Sequence, residues 1–227
     1  MLSRWFDRKP ESEPADAAVA PSSAPASAPG LTGERVPRHS GAWAALRKRL
    51  EAESGLYAID VGYTSPANIH YLTRLGHSIF LADLVADAST GEWQSQSEED
   101  GSTVWNVEGF LNQSLRLSER KFDVVLLWTA LDYLPQALVE PVVARLFEAT
   151  NPGGQVLAFC HTRTQGEETA HCRFHVTDGD DVEVQLAQPF PIQRAFTNRS
   201  IKELFAAWSD YRQFLAKDSV SELIITR

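Results

Sequence analysis

Two aspartates and one glycine (Asp60, Gly62 and Asp83) follow two short apolar runs and are the residues best suited to binding a cofactor. The segment of residues 56–84, LYAIDVGYTSPANIHYLTRLGHSIFLADL, has the pattern of a strand, a tight turn, a helix and a second strand. Its first acid precedes the glycine of the turn, and its second acid closes the next strand. This order predicts the opening unit of a nucleotide-cofactor fold.

Strands and helices alternate through the first two thirds of the chain. Residues 40–53, SGAWAALRKRLEAE, predict an amphipathic helix with Ser40 as its N-cap, and Pro66 opens a second helix that ends before Gly76. The runs 122–128 (FDVVLLW) and 155–161 (QVLAFCH) are apolar throughout, with a helix over residues 135–150 and a turn at 151–154 between them. Such strands, alternating with helices, predict a parallel sheet covered on both faces.

The pattern changes in the last third. Residues 173–186 predict a hairpin around Asp178-Gly179-Asp180, Asn198 predicts the cap of a helix, and residues 211–218 and 220–227 predict an antiparallel strand pair. Residues 85–105 read as a long loop with one helical turn, and 104–107 is the best candidate for a third strand of the main sheet. The fold class predicted is a three-layer α/β/α Rossmann-like sheet, mostly parallel with an antiparallel C-terminal strand pair.

Residues 1–39 predict a disordered N-terminal tail before a domain over 40–227, because PESEPADAAVAPSSAPASAPG lacks large apolar side chains. The basic-aromatic tip, residues 1–9, is either a docking peptide for a protein partner, a weak membrane contact or a frayed terminus. A formal net charge of −9 argues against general nucleic-acid binding. Without a signal-like or membrane-length apolar run, a cytoplasmic location is expected and no stable membrane insertion.

Four segments in order resemble the class I SAM-dependent methyltransferases, and together the resemblance covers residues 40–227. They are DVGYTSPANIHYL at 60–72, Asp83 at the end of the second strand, FDVVLLWTALDYLP at 122–135 and LFEATNPGGQVLAF at 146–159. Asp60, Gly62 and Leu72 match the acid, first glycine and helix leucine of the family's glycine loop.

The resemblance implies S-adenosyl-L-methionine (SAM) as cofactor. Asp83 would accept both ribose hydroxyls, and Asp60 would orient the loop and help place the ammonium. Gly62 would allow close backbone approach, Thr64 would offer a replacement contact, and Asn112 would face the adenine. The cofactor-binding residues expected are therefore Asp60, Gly62, Thr64, Asp83, Asn112 and Trp128.

The acceptor side implied by the resemblance lies above the carboxyl ends of the later strands. Its candidates are Trp128, Thr129, Asp132, Tyr133 and His161, with His161 as a general base and Tyr133 on the pocket wall. Asp132, Tyr133 and His161 are the expected catalytic residues, although a helix-start aspartate is often only a cap. No Asn/Asp-Pro-Pro-Tyr/Phe motif follows the run 122–128, which favours a small-molecule acceptor over a nucleic acid.

Thr64 and Pro66 replace the second and third glycines of the family loop. The alternative hypothesis is therefore a catalytically inactive methyltransferase-like binding or scaffold protein, and a nucleotide- or sugar-binding regulator has only fold analogy behind it. The same replacements argue against a dinucleotide enzyme. No metal site is expected, since the cysteines and histidines at 160, 161, 171, 172 and 175 do not have the spacing of a zinc site and read as structural.

Overall fold

A computed structural model describes residues 33–117, 119–165, 170–187, 190–214, 216 and 218–227. The N-terminal tip and most of the predicted tail lie outside these residues. The described helices are α1 (Gly41–Ala52), α2 (Pro66–Arg74), α3 (Leu84–Ser89), α4 (Val107–Ser114), α5 (Ala130–Tyr133), α6 (Gln136–Ala149) and α7 (Asn198–Leu204). The described strands are β1 (Val36–His39), β2 (Tyr57–Asp60), β3 (Ser78–Leu81), β4 (Gln94–Gln96), β5 (Thr103–Trp105), β6 (Phe122–Trp128), β7 (Thr150–His161), β8 (Cys172–Val176), β9 (Asp181–Leu186), β10 (Asp210–Phe214) and β11 (Val220–Thr226).

The central sheet has six strands in the order β10-β11-β7-β6-β2-β3. The strands β3, β2, β6 and β7 are parallel neighbours, whereas β11 runs antiparallel to both β7 and β10. The predicted mostly parallel sheet with an antiparallel C-terminal pair is confirmed. In such a sheet, ligand sites form outside the carboxyl ends of the parallel strands, here the ends of β2, β3, β6 and β7.

Helices cover both faces of this sheet. Alternate residues of β6 point to opposite faces, so Val124 packs in one apolar cluster and Val125 in another. The first cluster contains the buried stripe of α1, including Trp43 and Leu46, and the second contains the stripe of α6, including Leu138. The three-layer arrangement is thereby confirmed.

Three strands, β1, β4 and β5, differ from the prediction. The strand β5 pairs with β4 in a separate two-stranded sheet, so the prediction of a third central strand at 104–107 is wrong. The hairpin β8–β9 forms as predicted, but it gains a third strand when β1 pairs with β9. Because β1 spans Val36–His39, the predicted tail extended four residues too far.

The predicted starts of α1 and α2 are confirmed, whereas the predicted cap of α7 is wrong by one residue. Ser40 caps α1 by accepting from the backbone N–H of Trp43 at 3.1 Å, and Pro66 occupies the first turn of α2. The cap of α7 is Thr197 rather than Asn198, because the Thr197 hydroxyl accepts from the N–H of Ser200. The predicted turn at 151–154 is an irregular part of β7, where the register against β6 shifts. Within the described residues, no helix is long and apolar enough to cross a membrane.

Candidate functional site

The carboxylate of Asp60, the last residue of β2, lies in a closed network of donors. Its Oδ1 accepts from the indole Nε1 of Trp128 at 2.9 Å and from the N–H of Gly62 at 3.2 Å, and its Oδ2 accepts from the Asn68 amide at 2.9 Å. Burial raises the pKa of Asp60 from 3.8 to about 6, and these three hydrogen bonds oppose that rise. Both oxygens therefore already have protein partners.

Trp128 explains why residue 62 must be glycine. A Cβ at Gly62 would lie 2.6 Å from the Trp128 ring, well inside van der Waals contact. Trp128 adopts a φ of 48° at the end of β6, and its ring stacks on Phe174 with centroids 5.1 Å apart. The glycine thus admits a close approach, but the group that approaches is the protein's own indole rather than a ligand.

The loop after β2 and the first turn of α2, residues 62–68, also contact strand β8 of the three-stranded sheet. The Ser65 hydroxyl bonds Nδ1 of His175 at 2.8 Å, and the Asn68 amide bridges backbone groups of Phe174 and Val176 at 3.1 and 2.8 Å. The guanidinium of Arg173 lies 4.4 Å above the Tyr63 ring. These contacts connect the loop to β8, and they cannot be predicted from the sequence of the loop itself.

The other predicted cofactor residues are placed differently. Asp83 lies just past the end of β3, where its Oδ1 caps α3 by accepting from the N–H of Ala86 at 3.1 Å, and burial raises its pKa. Thr64 is half-buried in the loop. Asn112 is exposed on α4, and its amide oxygen accepts from Arg145 of α6 at 3.4 Å. The structure therefore keeps Asp60, Gly62, Thr64, Asp83 and Trp128 at one edge of the sheet but not Asn112.

Asp132 and His161 form a buried pair, as expected of catalytic candidates that follow neighbouring strands. Asp132 lies on α5 directly after β6, and His161 ends β7. One oxygen, Asp132 Oδ2, accepts from His161 Nδ1 at 2.6 Å and from the His161 backbone N–H at 3.0 Å. Burial raises the pKa of Asp132 from 3.8 to about 6, against the lowering effect of these contacts. Two bonds to one carboxylate fix both the position and the tautomer of the imidazole.

Tyr133 lies between His161 and His171, a histidine that was predicted to be structural. Its ring is edge-on to His161 at 6.1 Å and to His171 at 4.7 Å. Burial, followed by the charge of Asp132, raises the pKa of Tyr133, so it remains a phenol at neutral pH. The three predicted catalytic residues thus lie together.

His171 was missed as a member of this site. It is 3% exposed, and neither of its ring nitrogens has a hydrogen-bond partner among the described residues, nor has Oδ1 of Asp132. Burial lowers the pKa of His171 from 6.5 to about 4, so the ring is neutral at physiological pH. A buried imidazole without a partner is costly, which is a signal of function that only the folded structure displays.

A cavity of about 630 Å³ opens beside this pair, with His161 and Thr129 on its wall. The rest of the wall comes largely from the three-stranded sheet and from the start of β11. A second cavity of about 730 Å³ lies between α6 and α7 and contains none of the predicted site residues. In the part of the chain that is described, no three His, Cys, Asp or Glu side chains are placed to hold a metal ion together.

No family model and no curated protein matches the sequence. Solved structures do match. The 1,6-didemethyltoxoflavin-N1-methyltransferase of Burkholderia thailandensis, solved with 1,6-didemethyltoxoflavin and S-adenosylhomocysteine, is 17% identical over 82% of this chain and 77% of that one, with a TM-score of 0.45. The N-methyltransferase NodS of Bradyrhizobium japonicum is 12% identical over 81% and 92%, with a TM-score of 0.43. SAM-bound CalS10 of Micromonospora echinaspora, an amino pentose methyltransferase, is 14% identical over 82% and 90%, with a TM-score of 0.37. Identities and TM-scores this low leave the function to be inferred from the residues of this chain.

Proposed function

We propose that the protein is a SAM-dependent methyltransferase that acts on a small-molecule acceptor bound in the 630 Å³ cavity. The observation that carries this proposal is the buried Asp132–His161 pair. It lies at the carboxyl ends of two neighbouring parallel strands, where α/β sheets bind their ligands, and His161 is on the cavity wall. The cavity volume also falls in the range of small-molecule sites.

The pair supplies what an acceptor needs before it can be methylated. The cofactor provides an activated methyl group, and the enzyme mainly aligns the acceptor with it and removes the acceptor's proton. Asp132 holds His161 through Nδ1, so the ring would take up the acceptor's proton at Nε2. The carboxylate then stabilises the imidazolium that forms when His161 takes the proton. Tyr133, which is not ionised, packs edge-on against His161 and supplies no charge.

The residues at the sheet edge fit SAM at one end and not at the other. Asp83 is half-buried beyond β3, and a carboxylate there suits the ribose diol. Asp60 was expected to help place the ammonium of the amino-acid part of SAM. The indole Nε1 of Trp128 already donates a hydrogen bond to that carboxylate. Asp83 and the backbone of residues 62–64 are therefore the groups that we assign to the cofactor, and Asp60 and Trp128 are assigned to the protein core.

This Trp128 contact also favours a second candidate function. A methyltransferase-like domain that no longer binds SAM, and serves as a binding or scaffold protein, needs no space above Gly62. The Trp128 ring fills that space.

Calorimetric titration with SAM and with S-adenosylhomocysteine separates the two candidates. The informative variant is Asp83→Asn, because asparagine still caps α3 while losing the charge and one acceptor oxygen. Asp87→Asn, in the same helix, is the matched control. Micromolar binding that Asp83→Asn weakens at least tenfold, and that the control leaves unchanged, supports the methyltransferase. If millimolar SAM produces neither heat nor a thermal shift, the scaffold candidate replaces it.

A further inference from the structure

The cavity beside His161 is apolar over most of its wall. The apolar side chains that line it are Val36, Pro37, Phe174, Val184, Leu186 and Val220. Two of them, Val36 and Leu186, remain 59% and 50% exposed, so the wall presents apolar surface to solvent. An apolar ligand would cover this surface, and covering it is the main favourable contribution to binding in such a site.

Among the described residues that line the cavity, the Asp, Glu, Lys and Arg side chains are Glu34, Arg38 and Asp218, so their formal charges sum to a negative value. Among the described residues of the wall, Arg38 is the one cation, and it is saturated by acids. Its Nε and one terminal nitrogen bond the two oxygens of Asp218 at 2.7 and 3.1 Å, and its other terminal nitrogen bonds the buried Glu222. Two carboxylates therefore oppose one guanidinium, and Glu34 adds a further carboxylate to the same wall.

Of the two acids bonded to Arg38, Asp218 is the one that is accessible to a ligand in the cavity. Its side chain is 36% exposed, whereas that of Glu222 is 2% exposed behind Arg38. Burial favours the neutral acid, but the hydrogen bonds and charge of Arg38 prevail and hold the pKa of Asp218 below 3.8. Asp218 is thus ionised at neutral pH and makes the cavity unfavourable for an anion.

We propose that the acceptor bound in this cavity is an apolar molecule that carries an amine. The proposal rests on the methyltransferase function proposed above and narrows it to nitrogen methylation. An ammonium ion is attracted by the net negative wall, and its apolar part covers Val36, Leu186 and their neighbours. A carboxylate or phosphate of the same size would meet Asp218 and Glu34 without a free cation to bind.

In the proposed reaction, His161 accepts the proton that the amine loses. A protonated amine has no lone pair, so it must lose one proton to become a nucleophile. The nitrogen lone pair then forms the new N–C bond, the bond between the methyl carbon and the sulfonium sulfur breaks, and its electron pair stays on sulfur. The proton released from nitrogen passes to His161, which Asp132 holds in place.

Binding of three naphthyl compounds with the same ring tests this inference without turnover. Naphthylethylamine, naphthylethanol and naphthylacetate are titrated at pH 7 by calorimetry, each with and without SAM. The wild-type protein is expected to bind the amine about tenfold more tightly than the carboxylate, as for one unpaired charge near a protein surface. Asp218→Asn should reduce that preference severalfold, since it leaves Arg38 with one acid. Asp180→Asn, which removes an exposed carboxylate paired with Arg47, is the matched control and should retain it.

Equal affinity for the three compounds, or a preference for the carboxylate, would overturn the amine assignment. So would an amine preference that Asp218→Asn and Asp180→Asn reduce equally, because the cause would then be net charge rather than this wall. SAM binding without amine preference refutes this inference alone. Amine preference without SAM binding refutes the methyltransferase function while leaving an amine-binding cavity.

Discussion

The replacement Asp132→Asn tests whether the carboxylate of the buried pair is held in an unfavourable environment. Asp132 is fully buried, and among the described residues its Oδ2 has two partners, both from His161, while its Oδ1 has none. An asparagine can place its amide oxygen at the Oδ2 position and keep both hydrogen bonds, while its NH2 group occupies the position of the unpartnered Oδ1. The substitution therefore removes a charge and changes little else.

The magnitude follows from the raised pKa. An aspartate with a pKa of 3.8 in the unfolded chain and about 6 in the folded protein binds more protons when folded, so stability falls as the pH rises from about 4 to 6. Above that window the loss is constant, at about 3 kcal/mol for a shift of this size. Because asparagine does not titrate, and because part of the loss is already present at pH 4, the free energy of unfolding of the variant, relative to the wild type, should rise by about 2–3 kcal/mol between pH 4 and pH 7. The contribution of Asp60 is present in both proteins and cancels.

Urea denaturation followed by tryptophan fluorescence at pH 4, 5, 6 and 7 measures this difference. Asp210→Asn, which removes an exposed carboxylate from β10, controls for net charge and should give a curve parallel to that of the wild type. A difference that stays constant with pH would refute the reasoning. A difference that becomes less favourable to Asp132→Asn toward pH 7 would show instead that the contacts with His161 outweigh burial and lower the pKa of Asp132.

Two further substitutions test the network around the first loop by urea denaturation. Gly62→Ala places a Cβ 2.6 Å from the ring of Trp128 and should cost about 1–3 kcal/mol of stability, whereas Gly179→Ala, whose Cβ would meet nothing closer than 3.8 Å, should cost less than about 0.5 kcal/mol; equal losses would contradict the predicted clash. Asn68→Ala leaves an oxygen of Asp60 and a backbone N–H of β8 buried without partners and should cost about 3 kcal/mol at neutral pH. Because the Asn68 hydrogen bond lowers the pKa of Asp60, that loss should shrink toward pH 4, and a loss that is independent of pH would contradict the role of this bond.

The parts of the fold that could be predicted are those whose signals are local. The continuous apolar run of β6 and the serine cap of α1 follow from residues adjacent in sequence. By contrast, β1 is the four-residue stretch VPRH, with no apolar period, and it becomes a strand because β9 lies beside it about 145 residues later in the chain. The prediction that β5 belongs to the central sheet was wrong for a similar reason. Its partner is β4, and three residues do not specify which sheet they join.

In the candidate site too, some contacts could be predicted from the sequence and others could not. The Asp132–His161 pair was foreseeable, because residues that follow adjacent parallel strands must meet at one edge. The contact between Trp128 and Asp60 was not, since it depends on the direction of a side chain at a residue with positive φ. His171 was also missed, because its position beside Tyr133 is set by how the three-stranded sheet packs on the main one.

The side chains of strand β8 contact both the cavity proposed for the acceptor and the loop that follows β2. Side chains of successive residues in a strand point to opposite faces. On one face, His171 just before β8, Arg173 and His175 contact Tyr133, Tyr63 and Ser65 respectively. On the other face, Cys172 and Phe174 line the cavity in which we place the acceptor. A shift of one residue in the register of β8 would exchange these faces, so that polar side chains would face the apolar cavity and apolar side chains would face Tyr63 and Ser65. The pairing of β8 with β9, rather than the loop sequence alone, therefore determines which side chains of β8 line the cavity and which contact Tyr63 and Ser65.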